Sequence, residues 1–220
     1  PGLTVQRTGS IAQFSSISIR GTDFRHTQIF IGDVPLGAPE SGAFDLSLLP
    51  LDAFEAVEVH RGGAPVWLSS GAIGGALQLH PRRASEDEAA IQVAAGALGA
   101  RSASGRVSLN QGAWRTVVLG RFDRADNDFR FQDDNATRFD PGDDRISRRR
   151  NADFRQAHGF AHAERDTRLG RFTLVGLGLS RAQGEPGSGS EPALSTRRDR
   201  SFAFGSLGWA HEGVWGATPF

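Results

Sequence analysis

The sequence predicts two regions in tandem: a small α+β module over residues 1–83, then antiparallel strands of an unclosed β-barrel over residues 84–220. Three observations carry this. Glycine falls at Gly62, Gly63, Gly71, Gly74 and Gly75 between two strand-like runs, Ala56–Val59 and Ala76–Leu79, which demands tight turning or close backbone approach at fixed offsets. Further on, Ser102, Ser104, Arg106, Ser108 and Asn110 alternate with Ala103, Gly105, Val107 and Leu109, a period of two that gives a strand one wet and one apolar face. The connections between such runs then alternate between long and short.

Along the first region, turn signals stand at Thr8-Gly9-Ser10 and from Gly37 to Gly42. Between them the apolar runs Ile17–Ile19, Gln28–Ile31, Ala56–Val59 and Ala76–Leu79 read as short strands. Pro50 suits the first position of a helix or the one before it, so a helical turn is expected over Leu51–Phe54. Pro81-Arg82-Arg83 and the charged Ser85-Glu86-Asp87-Glu88 mark the boundary.

Beyond it, strands are expected at Ala89–Leu98, Ser102–Asn110, Trp114–Arg124, Phe154–Arg165, Arg171–Ala182 and Ser201–Ala210, with Val214–Phe220 opening a seventh. Asp126 to Asp153 and Gln183 to Arg197 are long connections, whereas Thr167 to Gly170 and His211 to Gly213 are short. Outer-membrane barrels have short periplasmic turns and longer extracellular loops, so the rhythm also assigns the sides; the Leu98 to Arg101 turn is then a short one on the outer side. A spanning helix is excluded, because no run of about 18 apolar residues occurs. Barrel strands average out to modest hydropathy and remain compatible. Pro1-Gly2-Leu3-Thr4-Val5 has neither the basic start nor the apolar stretch of a signal peptide, so the sequence reads as an internal piece of an exported precursor.

Composition narrows the function classes. The 220 residues carry 25 basic and 25 acidic side chains, and every basic one is Arg, so nucleic acid finds no excess of positive charge. Cysteine is absent, which excludes disulfide scaffolds, thiolate metal centres and thiol nucleophiles. The glycine block has no following Gly-Lys-Ser/Thr and the chain has no Lys, against a phosphate loop. His158 and His162 fall on one face of a strand without a third ligand and read as a solvated pair facing the barrel lumen. Gly187-Ser188-Gly189-Ser190 lies in a loop rather than at a nucleophile elbow, so no catalytic set emerges and no enzyme is expected. Asp133, Asp134, Asp140, Asp143 and Asp144, followed by Arg145, Arg148, Arg149 and Arg150, lack EF-hand spacing and read as a solvated loop with internal ion pairs. A cation-ordered loop, or arginines paired with lipopolysaccharide phosphates, is the minority reading there.

Ser18-Ile19-Arg20-Gly21, the run Gln28–Leu36 (QIFIGDVPL), Arg61-Gly62 and Gly71-Ala72-Ile73-Gly74-Gly75 follow one another in an order and spacing that resemble the plug domain of TonB-dependent outer-membrane receptors. The chain departs from the family in reading Gly32-Asp33 for Asp-Gly, Leu68-Ser69 for tyrosine and glycine, and Gly63 for proline. The resemblance implies an α+β plug domain followed by the first strands of an incomplete antiparallel transmembrane β-barrel, since six or seven strands cannot close a plugged barrel of about 22. It implies a multi-pass barrel of the Gram-negative outer membrane, surrounded by lipid and lipopolysaccharide. Such a receptor binds a scarce nutrient, siderophore-, corrinoid- or glycan-like, and imports it with energy relayed by TonB through a segment upstream of Pro1. The alternative is a ligand-sensing receptor that transports little. Neither a cofactor nor nucleic acid is implied. By topology the ligand-facing positions are Arg25, His26, Gly37, Glu40, Ser41 and Phe44. Arg20, Glu58 and Arg61 are expected to pair with charges of the barrel wall, and Gly21, Gly62, Gly71, Gly74 and Gly75 to be structural.

Overall fold

The computed structural model describes residues 2–7, 13–37, 44–62, 65, 67–68, 74–137, 139–189 and 191–211. Fourteen strands fall within them. The first six are β1 (Leu3–Arg7), β2 (Ser15–Ile19), β3 (Thr27–Ile31), β4 (Val34–Pro35), β5 (Phe54–Arg61) and β6 (Gly75–Pro81). Strands β1 and β2 pair antiparallel, and the other four form a mixed sheet in the order β4-β3-β6-β5. Strand β6 lies in the middle of that sheet, parallel to β3 and antiparallel to β5, and its first five residues are buried. The helical component is a set of 3-10 turns at Phe24–His26, Leu46–Leu48 and Leu51–Ala53, the last directly after Pro50. No helix among the described residues is long and apolar enough to cross a membrane, a statement that does not bear on barrel strands.

The remaining strands are β7 (Glu88–Ala95), β8 (Arg101–Gln111), β9 (Trp114–Ala125), β10 (Arg130–Asp133), β11 (Arg145–Arg148), β12 (Phe154–Thr167), β13 (Gly170–Gly184) and β14 (Arg197–Ala210). Six of them form one antiparallel sheet, β14-β13-β12-β9-β8-β7, with β10 and β11 as a separate hairpin inside the long connection from β9 to β12. The expected seventh strand, Val214–Phe220, lies outside the described residues.

The polarity of this sheet is inverted relative to a water-soluble one. Its exposed face carries Ile91 at 87% exposure, together with Val93, Val118, Phe122, Leu174, Leu207 and Trp209. Its covered face buries Gln156, His158, His162, Glu164 and Arg181 beside Val117, Leu119, Phe160, Val175 and Leu177. What covers it is the first region: Ile17, Ile29, Ile31, Leu49, Ala53, Phe54, Leu77 and Leu79 share one apolar cluster with the wall residues. Phe54 meets Phe160 edge to face with ring centroids 6.0 Å apart, and Phe44 meets Phe202 at 5.4 Å. Burying a side chain of this size contributes roughly 1.5–3 kcal/mol, so apolar packing seats the mixed sheet against the wall and the polar contacts decide its placement.

Candidate functional site

Those polar contacts converge on the segment from Phe44 to Phe54. Asp45 caps the first of its 3-10 turns: its Oδ1 accepts from the Ser47 N–H at 3.1 Å and from the Ser47 hydroxyl at 2.6 Å. The same oxygen accepts from the Ser15 N–H of β2 at 3.0 Å. Its Oδ2 faces the wall, accepting from Arg200 Nη1 at 3.1 Å, with Arg181 Nη1 at 3.6 Å. Arg181, fully buried, donates to the Ser47 carbonyl at 2.6 Å and to Gln156 Oε1. Asp45 is itself only 5% exposed. A buried carboxylate flanked by two buried or half-buried guanidiniums satisfies charges that would each cost several kcal/mol if left alone.

Two further attachments complete the docking. Asp52, on the Leu51–Ala53 turn, accepts from Arg121 Nη1 at 3.2 Å, while Arg121 also grips Asp123 on its own strand. A carbonyl can only accept, so His158 Nε2 carries the proton it gives to the Leu48 carbonyl at 3.0 Å, and His162 Nδ1 the one it gives to Arg82 at 2.8 Å. Arg83 then meets Glu164 at 3.2 Å, and Glu164 is held from the other side by Arg115 at 2.9 Å. The two histidines do face the wall's inner side, but the solvated reading is corrected: both are buried, because plug carbonyls reach across to them.

Of the expected wall-pairing residues, Arg20 and Arg61 are exposed, and Glu58, at 54% exposure, lies near His60 and His80 within its own sheet. β5, which carries Glu58 and Arg61, is an edge strand of the mixed sheet, and none of the three forms an ion pair with β7–β14 among the described residues. The wall pairs run instead through Asp45, Asp52, Arg83, Arg121, Glu164, Arg181 and Arg200. A readable signal existed for the wall members: Arg121, His158, Glu164 and Arg181 all sit on the parity that faces inward.

Of the ligand-facing expectations, Gly37 and Phe44 line one cavity of about 580 Å³ together with Phe14, Leu179, Arg200 and Phe202. Arg25 and His26 are exposed and not part of it; their turn packs on Gly74, whose N–H donates to the His26 carbonyl at 3.1 Å. Glu40 and Ser41 lie outside the described residues. A second cavity of about 470 Å³ lies between the docked segment and the wall, lined by Asp52, Arg121, Asp123, Gln156 and His158. Among the glycines, Gly21 and Gly62 have φ of +76° and +91°, Gly75 has φ of +129°, Gly74 is closely approached, and Gly71 lies outside the described residues. Among the described residues no three His, Asp or Glu side chains converge as metal ligands. In the acidic loop Asp133 is engaged by Arg145 and Ser147, and Asp143 by Thr137 and Asn135.

A mixed sheet seated on the polar inner face of an antiparallel wall is the arrangement of a plugged outer-membrane barrel. Residues 1–76 match the TonB-dependent Receptor Plug Domain family. The vitamin B12 transporter BtuB of Vibrio vulnificus is 37% identical over 79 residues, 36% of this chain and 13% of that protein. Its counterpart in Photobacterium profundum is 30% identical over 122 residues, 54% of this chain and 20% of that one. Among solved structures, the pyoverdine outer membrane receptor FpvA of Pseudomonas aeruginosa PAO1 aligns with a TM-score of 0.62 at 15% identity, over 83% of this chain and 24% of its own. The copper transporter OprC aligns at 0.64 and 15% identity, over 94% and 29%. These two establish the fold. The first region is thus similar to the plug domain of TonB-dependent receptors and the strands after it share the fold of those receptors' barrel wall, while the chain spans no more than a fifth of the length of either curated relative.

Proposed function

We propose that this chain is the plug and leading wall, divided near residue 84, of an outer-membrane importer that binds a scarce nutrient and passes it inward without chemistry on it, driven by TonB. The observation that carries the reading is the docking itself: a folded module rests on the inner wall through an apolar cluster and a few charged anchors centred on Asp45. Such anchors hold at rest and rearrange under load while the wall keeps its own hydrogen-bond ladder. The cavity holding Gly37 and Phe44 is lined by Asp199 and Arg200, near the end of β14 that follows the long connection, and supplies a cargo contact; Glu40 and Ser41 neighbour it in sequence. Arg20, Glu58 and Arg61, exposed on the plug, remain available to wall segments beyond those described. Because the curated relatives are vitamin B12 transporters, a corrinoid is the first cargo to test, then a ferric chelate and a glycan.

The test uses the full-length receptor in cells lacking other routes for each nutrient. Growth on limiting nutrient should require the receptor and collapse with an uncoupler of the proton gradient. Replacing Asp45 by Ala leaves Arg181 and Arg200 without their carboxylate, a cost of about 3–5 kcal/mol, and should cut uptake at unchanged outer-membrane abundance. Growth independent of the receptor on every nutrient would reject the reading.

A further inference from the structure

The outward face of the wall holds a row of charge that the import reading leaves unused. Arg101 pairs in register with Arg124, and Arg124 with Arg155, so three guanidinium-bearing residues stand side by side on β8, β9 and β12. All three are exposed and share the parity of Val107, Val118 and Phe122, the apolar outer face. Like charges directly opposite one another on neighbouring strands repel, and the protein does little to offset this. Among the described residues Arg101 and Arg155 form no side-chain ion pair or hydrogen bond, and Arg124 reaches Asp126 only at 4.0 Å. Asp153, near Arg155, is already engaged by both Nη atoms of Arg197, at 2.8 and 2.9 Å.

The depth of this row is set by the opposite end of the same face. There Gln111, Trp114, Arg165, Phe172 and Trp209 lie in register across the sheet, with Arg165 stacked over Trp114 at 4.9 Å. This is the aromatic girdle of a barrel at the short-turn side. The run from Arg101 to Gln111 along β8, at about 3.3 Å per residue and a tilt of about 40°, corresponds to roughly 25 Å of depth, the height of an outer-membrane apolar band. The arginines therefore stand at the headgroup level on the long-loop side. Inward of them on the same face comes the row of Ala103, Phe122 and Ala157, with Phe122 exposed, and then Gly105, Gly120, Gly159 and Gly178 in one register row, each with open space where a Cβ would project, which leaves a smooth recess beyond the Phe122 ring toward the middle of the apolar band.

We propose that Arg101, Arg124 and Arg155 dock a lipid bearing phosphate monoesters in the outer leaflet, with its acyl chains against the glycine-lined recess. Guanidinium forks match phosphate oxygens with paired hydrogen bonds, and bound phosphate relieves the mutual repulsion of the row. The proposal rests on the membrane reading given above. That reading is checked first and separately, by recovering the wild-type full-length receptor in the outer-membrane fraction; its absence there would overturn both.

The test titrates detergent-purified full-length receptor with diphosphoryl lipid A and with its dephosphorylated form, followed by native mass spectrometry. Replacing all three arginines by Gln should weaken the phosphorylated lipid on the order of a hundredfold, whereas Arg145→Gln with Arg148→Gln in the loop should leave it unchanged. If the triple variant does not fold, Arg124→Gln alone should weaken binding about fivefold. Equal affinity of wild type for the two lipids, wild-type affinity in the triple variant, or equal loss in the loop variant would each overturn the proposal.

Discussion

At Gly75 two constraints coincide. Its φ of +129° is a conformation L side chains rarely adopt, and an added Cβ would stand 2.5 Å from the His60 carbonyl oxygen and 2.9 Å from Ile19 Cδ1. At Gly74 the φ is ordinary, but a Cβ would lie 2.7 Å from Thr22 Oγ1 and 2.9 Å from the His26 carbonyl. Replacing either by Val in the full-length receptor should displace the plug while the wall stays inserted, so nutrient-limited growth fails at normal outer-membrane abundance. Full growth at normal abundance in both variants would show that neither constraint matters. These glycines announce themselves in the sequence, because glycines at such spacing between two strand runs point to a tight turn or a close backbone approach. Asp45 does not. Within FDLSLLPLD it looks like an ordinary turn cap, which it is; its second role depends on Arg181 and Arg200, more than a hundred residues away.

Among the elements, the wall strands were legible because a half-buried strand must alternate, and the ends differ only where local bonds override the pattern. β7 stops at Ala95 rather than Leu98, since Gly96 N–H donates to the Ala100 carbonyl at 2.8 Å and Leu98 turns left-handed with φ of 58°. β14 begins at Arg197, four residues ahead of the apolar run, where charged residues extend the ladder with β13. The hairpin β10–β11 inside the long loop was not legible, its four-residue strands being too short and charged to show a period. The base of that loop is tied to β14 by the bonds from Arg197 to Asp153, which hold the Asp153 carboxyl below the usual carboxylate range. A lowered folded value means the stabilisation is present above the ordinary Asp value of about 3.9 and is lost as pH falls through the folded one. Hydrogen-exchange protection across residues 126–153, taken relative to the intrinsic amide rate at each pH, should therefore hardly change from neutral pH to about 5, and fall only below about 4. Arg197→Gln should raise exchange at neutral pH and flatten that acid response; an unchanged profile would detach the loop from this pair.

For the whole molecule, the inverted polarity and the long and short connections make one claim about sidedness. In an otherwise cysteine-free full-length receptor, cysteine placed at Asp143 or Ser188 should react with an impermeant reagent on intact cells, and one at Leu169, exposed on the short Thr167–Gly170 turn, should not. Labelling at Leu169 with silence at Ser188 would invert the barrel and remove the basis for the plug's orientation. The plug-to-wall contacts themselves were the least legible part, because they join two patterns that each look complete alone.

The pairing of β1 with β2 has a mechanical consequence. Leu3 lies opposite Ile19 and Arg7 opposite Ser15, so both chain ends of the hairpin emerge at the same edge. Tension entering through Leu3 peels this hairpin like a zipper, one rung at a time and at low force, rather than shearing all rungs together. Straightening the stretch between Leu3 and Ile19 plays out roughly 50 Å of slack at about 3.4 Å per residue. The last rung to part is at Ser15, whose N–H is bound to Asp45. A short tug is thus absorbed by the hairpin, and only a sustained one reaches the carboxylate that fastens the plug to its wall.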